Sequence, residues 1–430
     1  MPTPSLAAID FGTSNSTVGI MANGRPTLLP LSGSKLTAPT ALFFPQGKTI
    51  TAAIPGHEAI IAYQEADPGR FMRGLKSVLG TQLFTESTQL GTQTVTFKEI
   101  IAAYISWLLG KAEASLGRPV THLMLGRPVH FLTNQPQADA IAEAQLREVT
   151  DSLGIQHLAF MAEPLAAAYH YEHSLHTEER ALIIDIGGGT ADFSLINLGP
   201  SRVHQANRTA DILATHGLRL GGAMIDQAFA LSEVMPAFGM GTPLMGPDGS
   251  LKNLTVPSGY YTQLTQWHRI HRMYERTTLH EIRALHAQES TEPAKTERLL
   301  TLLEERGGHR LMLDIEAAKI TLSQAASTLL NLGWIERDLA LPLTPQALAA
   351  AIQNWLDTLH ESITHTLTLG GVQSAQLTTV FLTGGPSAMP LVQAAIRSLL
   401  PHSRIILGDQ LTSVGTGLVL AAAKAFPKTH

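Results

Sequence analysis

Two stretches of the chain share one pattern of apolar and polar positions. Residues 6–18 read LAAIDFGTSNSTV, and residues 181–195 read ALIIDIGGGTADFSL. In each, an apolar run ends in aspartate, a Gly/Thr turn follows, and β-forming residues resume. The pattern predicts strand, tight turn, strand. Asp10 and Asp185 sit at the same point of the repeat, which implies two related lobes opening with the same hairpin.

The remaining periodicity fills in α/β lobes. Residues 97–116 predict a helix with Ile100, Ile101, Tyr104, Ile105 and Leu108 on one stripe. Further helices are predicted over 134–153, with Pro136 in the first turn and Gly154 past the end, over 347–369, and over 413–426. Residues 122–126 and 380–383 read as short buried strands. Residues 239–260 are turn-rich and read as a surface excursion. Residues 262–286, 296–305 and 314–330 read as helices, so that 227–337 is expected to be a mainly helical insertion in the second lobe.

Composition narrows the class. Of 430 residues, 44% are apolar and only 15% charged, against about 25% in an average domain. That predicts a packed globule and not a disordered chain. A formal charge of −5 leaves no strong positive field, so nucleic acid is not an expected partner. The absence of cysteine excludes disulfides, thiolate metal sites and cysteine catalysis. No run of about 18 apolar residues occurs, so no membrane span is expected. The opening Met-Pro-Thr-Pro-Ser does not read as a signal peptide. The expectation is a soluble, cytoplasmic protein. His268 and His271 read as helix surface, not as a metal pair.

The turns carry the candidate chemistry. In Asp10-Phe-Gly12-Thr13-Ser14-Asn15, successive backbone N–H groups in a tight turn form a concavity for an anion, and Thr13 and Ser14 add hydroxyls. Asp10 at the strand end suits a hydrated Mg²⁺. Taken alone, this motif equally suits an ordinary hairpin. The second turn, Asp185-Ile-Gly187-Gly188-Gly189-Thr190-Ala-Asp192, is more specific. Three glycines allow a phosphate close to the backbone, Thr190 can donate to a terminal phosphate, and Asp192 can accept a proton from water. Gly384-Gly385-Pro-Ser387 follows an apolar strand and suits a flat ring or ribose. Glu316, Lys319 and Ser323, spaced three and four apart, share a helix face that suits a purine nucleoside or, equally, a solvated ion pair. Glu163-Pro164 follows an apolar run, and Lys76 stands in Arg73-Gly-Leu-Lys76-Ser-Val-Leu-Gly80.

Together these segments resemble the actin-like ATPase superfamily, and within it the DnaK-type heat-shock protein 70 family. IDFGTSNS resembles the family's first phosphate motif, IIDIGGGTADFS its second and FLTGGPSAMP its adenosine motif. GRPV with MAEPLAAAYHYE resembles its connecting stretch, LRLGGAMID its LGGxDFD, and EAAKITLS its adenine-contacting helix. The order is correct along nearly the whole chain.

The resemblance implies an α/β fold: a bilobed actin-like ATPase of duplicated ribonuclease-H-like lobes with a nucleotide cleft between them. Lobe I would be 1–179, rejoined by 409–430, and lobe II 180–408. It implies ATP or ADP with Mg²⁺ held through water by Asp10, Asp185 and Glu163, and K⁺ beside the phosphates. Gly12, Thr13, Ser14, Asn15, Gly187, Gly188, Gly189, Thr190, Gly221 and Gly222 would bind phosphate. Lys76, Asp192, Thr190 and Glu163 would act in hydrolysis. Glu316, Lys319, Ser323, Gly384, Gly385 and Ser387 would surround adenosine. Ile320 replaces the family's adenine-stacking arginine.

The segments around Val-Met-Pro and Trp267 resemble the YegD-like branch, and the insertion would offer a surface for protein partners. The family's linker and client-binding domain are expected to be lacking. The implied function is slow Mg-dependent ATP hydrolysis by a chaperone-related protein. A nucleotide-gated filament protein and a sugar or acyl kinase are the alternative readings.

Overall fold

The computed structural model describes residues 5–65, 68–128, 131, 136–202, 205, 209–267, 269–408 and 412–426. His268 and residues 409–411 and 427–430 lie outside the described residues. The first repeat folds as β1 (Leu6–Phe11) and β2 (Asn15–Ala22), paired antiparallel with Asp10 opposite Thr17. Ala7, Ile9, Phe11 and Val18 have no exposure, which fits strands covered on both faces. β3 (Arg25–Leu28) continues antiparallel on β2. On the other side of β1 lie β4 (His122–Arg127) and then β5 (His157–Ala162), both parallel. A short strand, Ala38–Pro39, also pairs with β2.

The second sheet repeats this plan. β6 (Glu179–Ile186) pairs antiparallel with β7 (Ala191–Leu198), which pairs antiparallel with β8 (Ile212–Leu218). β9 (Thr379–Thr383) and β10 (Arg404–Leu407) follow in parallel on the far side of β6. The orders β5-β4-β1-β2-β3 and β10-β9-β6-β7-β8 therefore match in topology and sense. What the sequence shows as two similar hairpins is a duplication of whole five-strand sheets.

Parallel neighbours need long crossovers, and helices supply them. α1 (Phe97–Leu116) precedes β4 and α2 (Pro136–Ser152) precedes β5. α1 starts at a reciprocal Thr96/Glu99 capping box and ends at Gly117 with φ 67°. Its predicted stripe is fully buried. α3 (Glu163–Glu172) leaves β5, and α4 (Ser413–Ala425) follows β10. A Cβ on Gly417 would stand 1.7 Å from the Ala166 carbonyl oxygen. These helices are rich in small residues because their backbones approach that closely. Ala8 and Met124 of one sheet, Ile183 and Phe381 of the other, and the alanines of α3 and α4 form one buried cluster.

The chain divides into two compact units. One comprises Met1–Gly222, Thr358–Ala388 and Val392–His430, and so contains both five-strand sheets; the other comprises Ala223–Asp357 and Met389–Leu391. Residues 227–337 all fall in the second.

Three helix expectations are corrected. The helix expected over 314–330 spans Gly308–Leu322, and Thr328–Asn331 is instead a strand paired with Ala340–Leu343. Its Leu329-Leu330 run fits either period, and a partner strand nine residues beyond its end decides the outcome. Residues 262–286 form not one helix but Ser258–Leu264, a 3₁₀ segment Ile270–Tyr274 and Arg276–Gln288. The Tyr274 hydroxyl donates to the Arg306 carbonyl and accepts from the Gly308 N–H, so a tertiary contact bends the segment. The helix expected over 347–369 breaks at Ile352, with φ −102° and ψ 13°. Leu348, Ile352 and Leu356 stay buried across the break, so the hydrophobic period conceals it.

Candidate functional site

The two hairpin turns meet within the first unit. A Cβ on Gly12 would lie 2.2 Å from the Asn15 carbonyl oxygen, so the first turn closes too tightly for a side chain there. The Gly187 N–H donates to the Thr190 carbonyl at 2.8 Å and closes the second. A Cβ on Gly188 would overlap Ser14 Oγ at 1.7 Å, and one on Gly189 would stand 3.3 Å from Thr13 Cγ2. A Cβ on Gly221 would lie 2.3 Å from the Gly188 carbonyl oxygen, and the Gly222 N–H donates to the Gly187 carbonyl at 3.0 Å. Thr13, Ser14, Gly187, Gly188, Gly189, Gly221 and Gly222 thus converge. Backbone dipoles and hydroxyls face one another there without bulky side chains, the composition of an anion cradle.

A carboxylate cluster adjoins the turns. Asp10 and Asp185 occupy the penultimate positions of β1 and β6. Asp192 stands opposite Asp185 in register and is buried. Glu163 opens α3 and is also buried. Lys76 lies in a 3₁₀ turn, Leu75–Val78, entered through Gly74 in the left-handed region at φ 67°. Its ammonium donates to Glu163 Oε1 in a buried ion pair. Small residues leave space for the carboxylates. A Cβ on Gly126, at the end of β4, would come within 3.5 Å of Asp10 Oδ1, and one on Gly384, just past β9, within 2.9 Å of Asp185 Oδ1. Gly126 lies within β4 and Gly384 one residue past β9, so each sheet brings a glycine beside its aspartate.

The cluster is electrostatically strained. Burial pushes the Asp10 carboxyl up from 3.8 to about 7; the Glu163 charge adds to this and Lys76 opposes it. Asp185 is also raised well above its ordinary value, by burial first and then by Glu163, Asp192 and Asp10. Burial pulls Lys76 down, but Glu163, Asp10 and Asp192 outweigh it and the ammonium titrates above its ordinary value. Four acidic groups therefore share one cation. Such a cluster holds extra protons or accepts added positive charge, and so its chemistry fits a divalent cation. Among the described residues no three His, Asp or Glu side chains converge closely enough to ligate a metal directly.

The expected adenosine residues have mixed surroundings. Gly384 adopts φ 83°, and Ser387 is fully buried, its hydroxyl donating to the Gly384 carbonyl at 2.6 Å. Gly385 is exposed beside them. In the second unit, the helix Gly308–Leu322 carries Glu316 half-buried and Ile320 exposed, with Ser323 capping its end. Lys319 is buried and ion-paired with Asp226 at 2.7 Å. The alternative of a solvated pair with Glu316 does not describe it.

Sequence reading missed Thr40, Gly126 and Asp226. Thr40 bonds the backbone of the first turn, with its hydroxyl on the Gly12 carbonyl and its N–H on the Ser14 carbonyl. No local pattern marks such a residue, because its partners are distant in the chain. Asp226 ends the LRLGGAMID segment, and its place in that motif was the available signal.

The family model for Hsp70 protein matches residues 6–234 and 290–419. The unmatched stretch between these lies in the second unit, where the hairpin Pro243–Met245 with Leu251–Thr255 and the 3₁₀ segment are found. The matched residues include both hairpins, Lys76, Glu163 and the Gly384 turn. The chain belongs to the Hsp70 family, whose members are nucleotide-binding, chaperone-like ATPases with an actin-like ATPase fold.

Proposed function

We propose that this protein binds ATP with Mg²⁺ and hydrolyses it slowly, as a chaperone-related ATPase close to the YegD-like branch. The observation that carries the reading is the carboxylate cluster around Lys76, set against two convergent glycine turns. The turns Gly12–Asn15 and Gly187–Thr190 hold the phosphates through backbone N–H groups and the hydroxyls of Thr13, Ser14 and Thr190. Asp10, Asp185 and Glu163 are the residues that would hold the metal, through water. A bound Mg²⁺ supplies charge neutralisation on the phosphates.

Lys76 stays protonated, since its neighbours raise its pKa, and stabilises charge on the transferring phosphoryl group. Its pairing with Glu163 fixes the ammonium in one place, so little reorganisation is needed. Asp192 orients water and accepts its proton. Positioning and fixed charge supply most of the catalysis. By the resemblance, Gly384, Gly385 and Ser387 would contact adenosine beside the phosphates, and K⁺ would bind near the phosphates.

Calorimetric titration with ATP and ADP, with and without Mg²⁺, tests the reading together with steady-state hydrolysis. Lys76→Ala is expected to keep nucleotide binding and lose turnover by roughly 10²- to 10³-fold, the loss typical of one electrostatic group. No binding by the wild type, or unchanged hydrolysis in the variant, refutes it.

A further inference from the structure

Thr40 follows the short strand Ala38–Pro39 and is 1% exposed. All three of its polar groups are engaged, two with the first turn and one with the segment that carries Lys76. Its hydroxyl donates to the Gly12 carbonyl at 2.7 Å. Its N–H donates to the Ser14 carbonyl at 2.8 Å, and its own carbonyl accepts the Gly74 N–H at 3.2 Å. Ser16 Oγ lies 2.8 Å from Thr40 Oγ1. A hydroxyl has one proton, and that of Thr40 goes to Gly12, so Ser16 is the donor in this pair.

These bonds set directions. In a trans peptide the C=O and the following N–H point opposite ways across one plane. Holding the Gly12 carbonyl toward Thr40 turns the Thr13 N–H away from it. Holding the Ser14 carbonyl does the same for the Asn15 N–H. Two carbonyl oxygens that would repel an anion are drawn back, and two donors are presented on the opposite side. The third bond anchors Gly74, whose carbonyl accepts from both the N–H and the hydroxyl of Ser77, at 3.0 and 2.8 Å. That turn carries Lys76.

We infer that Thr40 is a positioning residue that aligns the first phosphate turn and couples it to the segment delivering Lys76. The inference rests on the proposed phosphate site for its functional consequence, while the coupling itself stands on the hydrogen bonds. Sequence alone does not single it out, since neither Ala-Pro-Thr nor its spacing is a recognised phosphate pattern.

The test uses the full chain with Thr40→Val, which keeps the shape and removes the hydroxyl, and Thr40→Ser, which keeps the hydroxyl. Thr40→Val leaves the Gly12 carbonyl without its buried donor and is expected to weaken binding of both Mg-ATP and inorganic tripolyphosphate by roughly 10- to 100-fold. Thr40→Ser is expected to stay within about threefold of wild type. Peptide-level hydrogen exchange without nucleotide gives a second readout. In Thr40→Val, exchange is expected to rise in segment 11–16 and, to a smaller degree, in 74–78, whose bond to the residue-40 carbonyl is then held by a loosened segment, and to stay unchanged in α1.

Equal losses in the two variants overturn the inference, since the methyl packing and not the hydroxyl would then matter. So does a folded Thr40→Val with wild-type affinity and exchange. If wild type binds no nucleotide, the proposed function fails. The exchange result then still decides whether Thr40 couples the two segments.

Discussion

The crowding of carboxylates around Asp10 has a measurable cost in the absence of a bound cation. Burial, then Glu163, raises the Asp10 carboxyl from 3.8 to about 7. A folded state that holds this proton more tightly than the unfolded chain loses stability as pH rises from about 4 to about 7, and the loss is complete above 7. A shift of about three units at about 1.4 kcal/mol each sets a ceiling of about 4 kcal/mol. Asp10 is half-buried and keeps some contact with water, so about 2 kcal/mol is the expected size.

Histidines titrate in the same range, and His122, lowered by burial and by His157, acts in the opposite direction. The comparison must therefore be a difference. Urea unfolding of wild type and Asp10→Asn, without divalent cations, is measured at pH 4.5 and pH 8. The wild-type advantage over the variant should fall by about 2 kcal/mol across that interval. Removing the Asp10 charge also relaxes Asp185, which adds to the difference with the same sign. A difference that is constant, or that grows with pH, refutes the strained-cluster account.

Other substitutions probe separate links. Gly417→Val places side-chain atoms against the Ala166 carbonyl, where even a Cβ stands at 1.7 Å, and should destabilise the first unit by about 3 kcal/mol in chemical denaturation. Asp226→Asn leaves Lys319 buried without its countercharge; about 3 kcal/mol of destabilisation is expected, and a loss below about 0.5 kcal/mol would mean the pair is dispensable. Thr96→Ala removes the α1 capping box and should cost about 1 kcal/mol in the same assay, without changing nucleotide binding. Adding millimolar Mg²⁺ at pH 8 should raise the wild-type unfolding midpoint and raise it less in Asp185→Asn, measured by thermal scans.

Local patterns were legible where neighbours along the chain decide the outcome. The apolar runs of the two hairpins are buried from both sides, and their glycines and aspartates fall where the repeat places them. The stripe of α1 needs only a 3.6-residue period, visible in residues 97–116. Helix ends failed where distant partners intervened. Thr328–Asn331 became a strand because Ala340–Leu343 pairs with it, and the 3₁₀ turn at Ile270–Tyr274 follows Tyr274 onto Arg306 and Gly308.

The same division runs through the candidate site. Sequence determined which residue types were available: aspartates at strand ends, hydroxyls and glycines in the turns, and one lysine in a short motif. It also carried the family membership, because motif order survives without coordinates. Only the tertiary structure decided that Lys76 pairs with Glu163, that Gly188 meets Ser14, and that Gly126 and Gly384 each lie beside an aspartate of the cluster. Thr40 shows the reason most directly. Its partners at 12, 14 and 74 are brought to it by strand pairing, and hydrogen bonds depend on proximity in space, which composition and period do not encode.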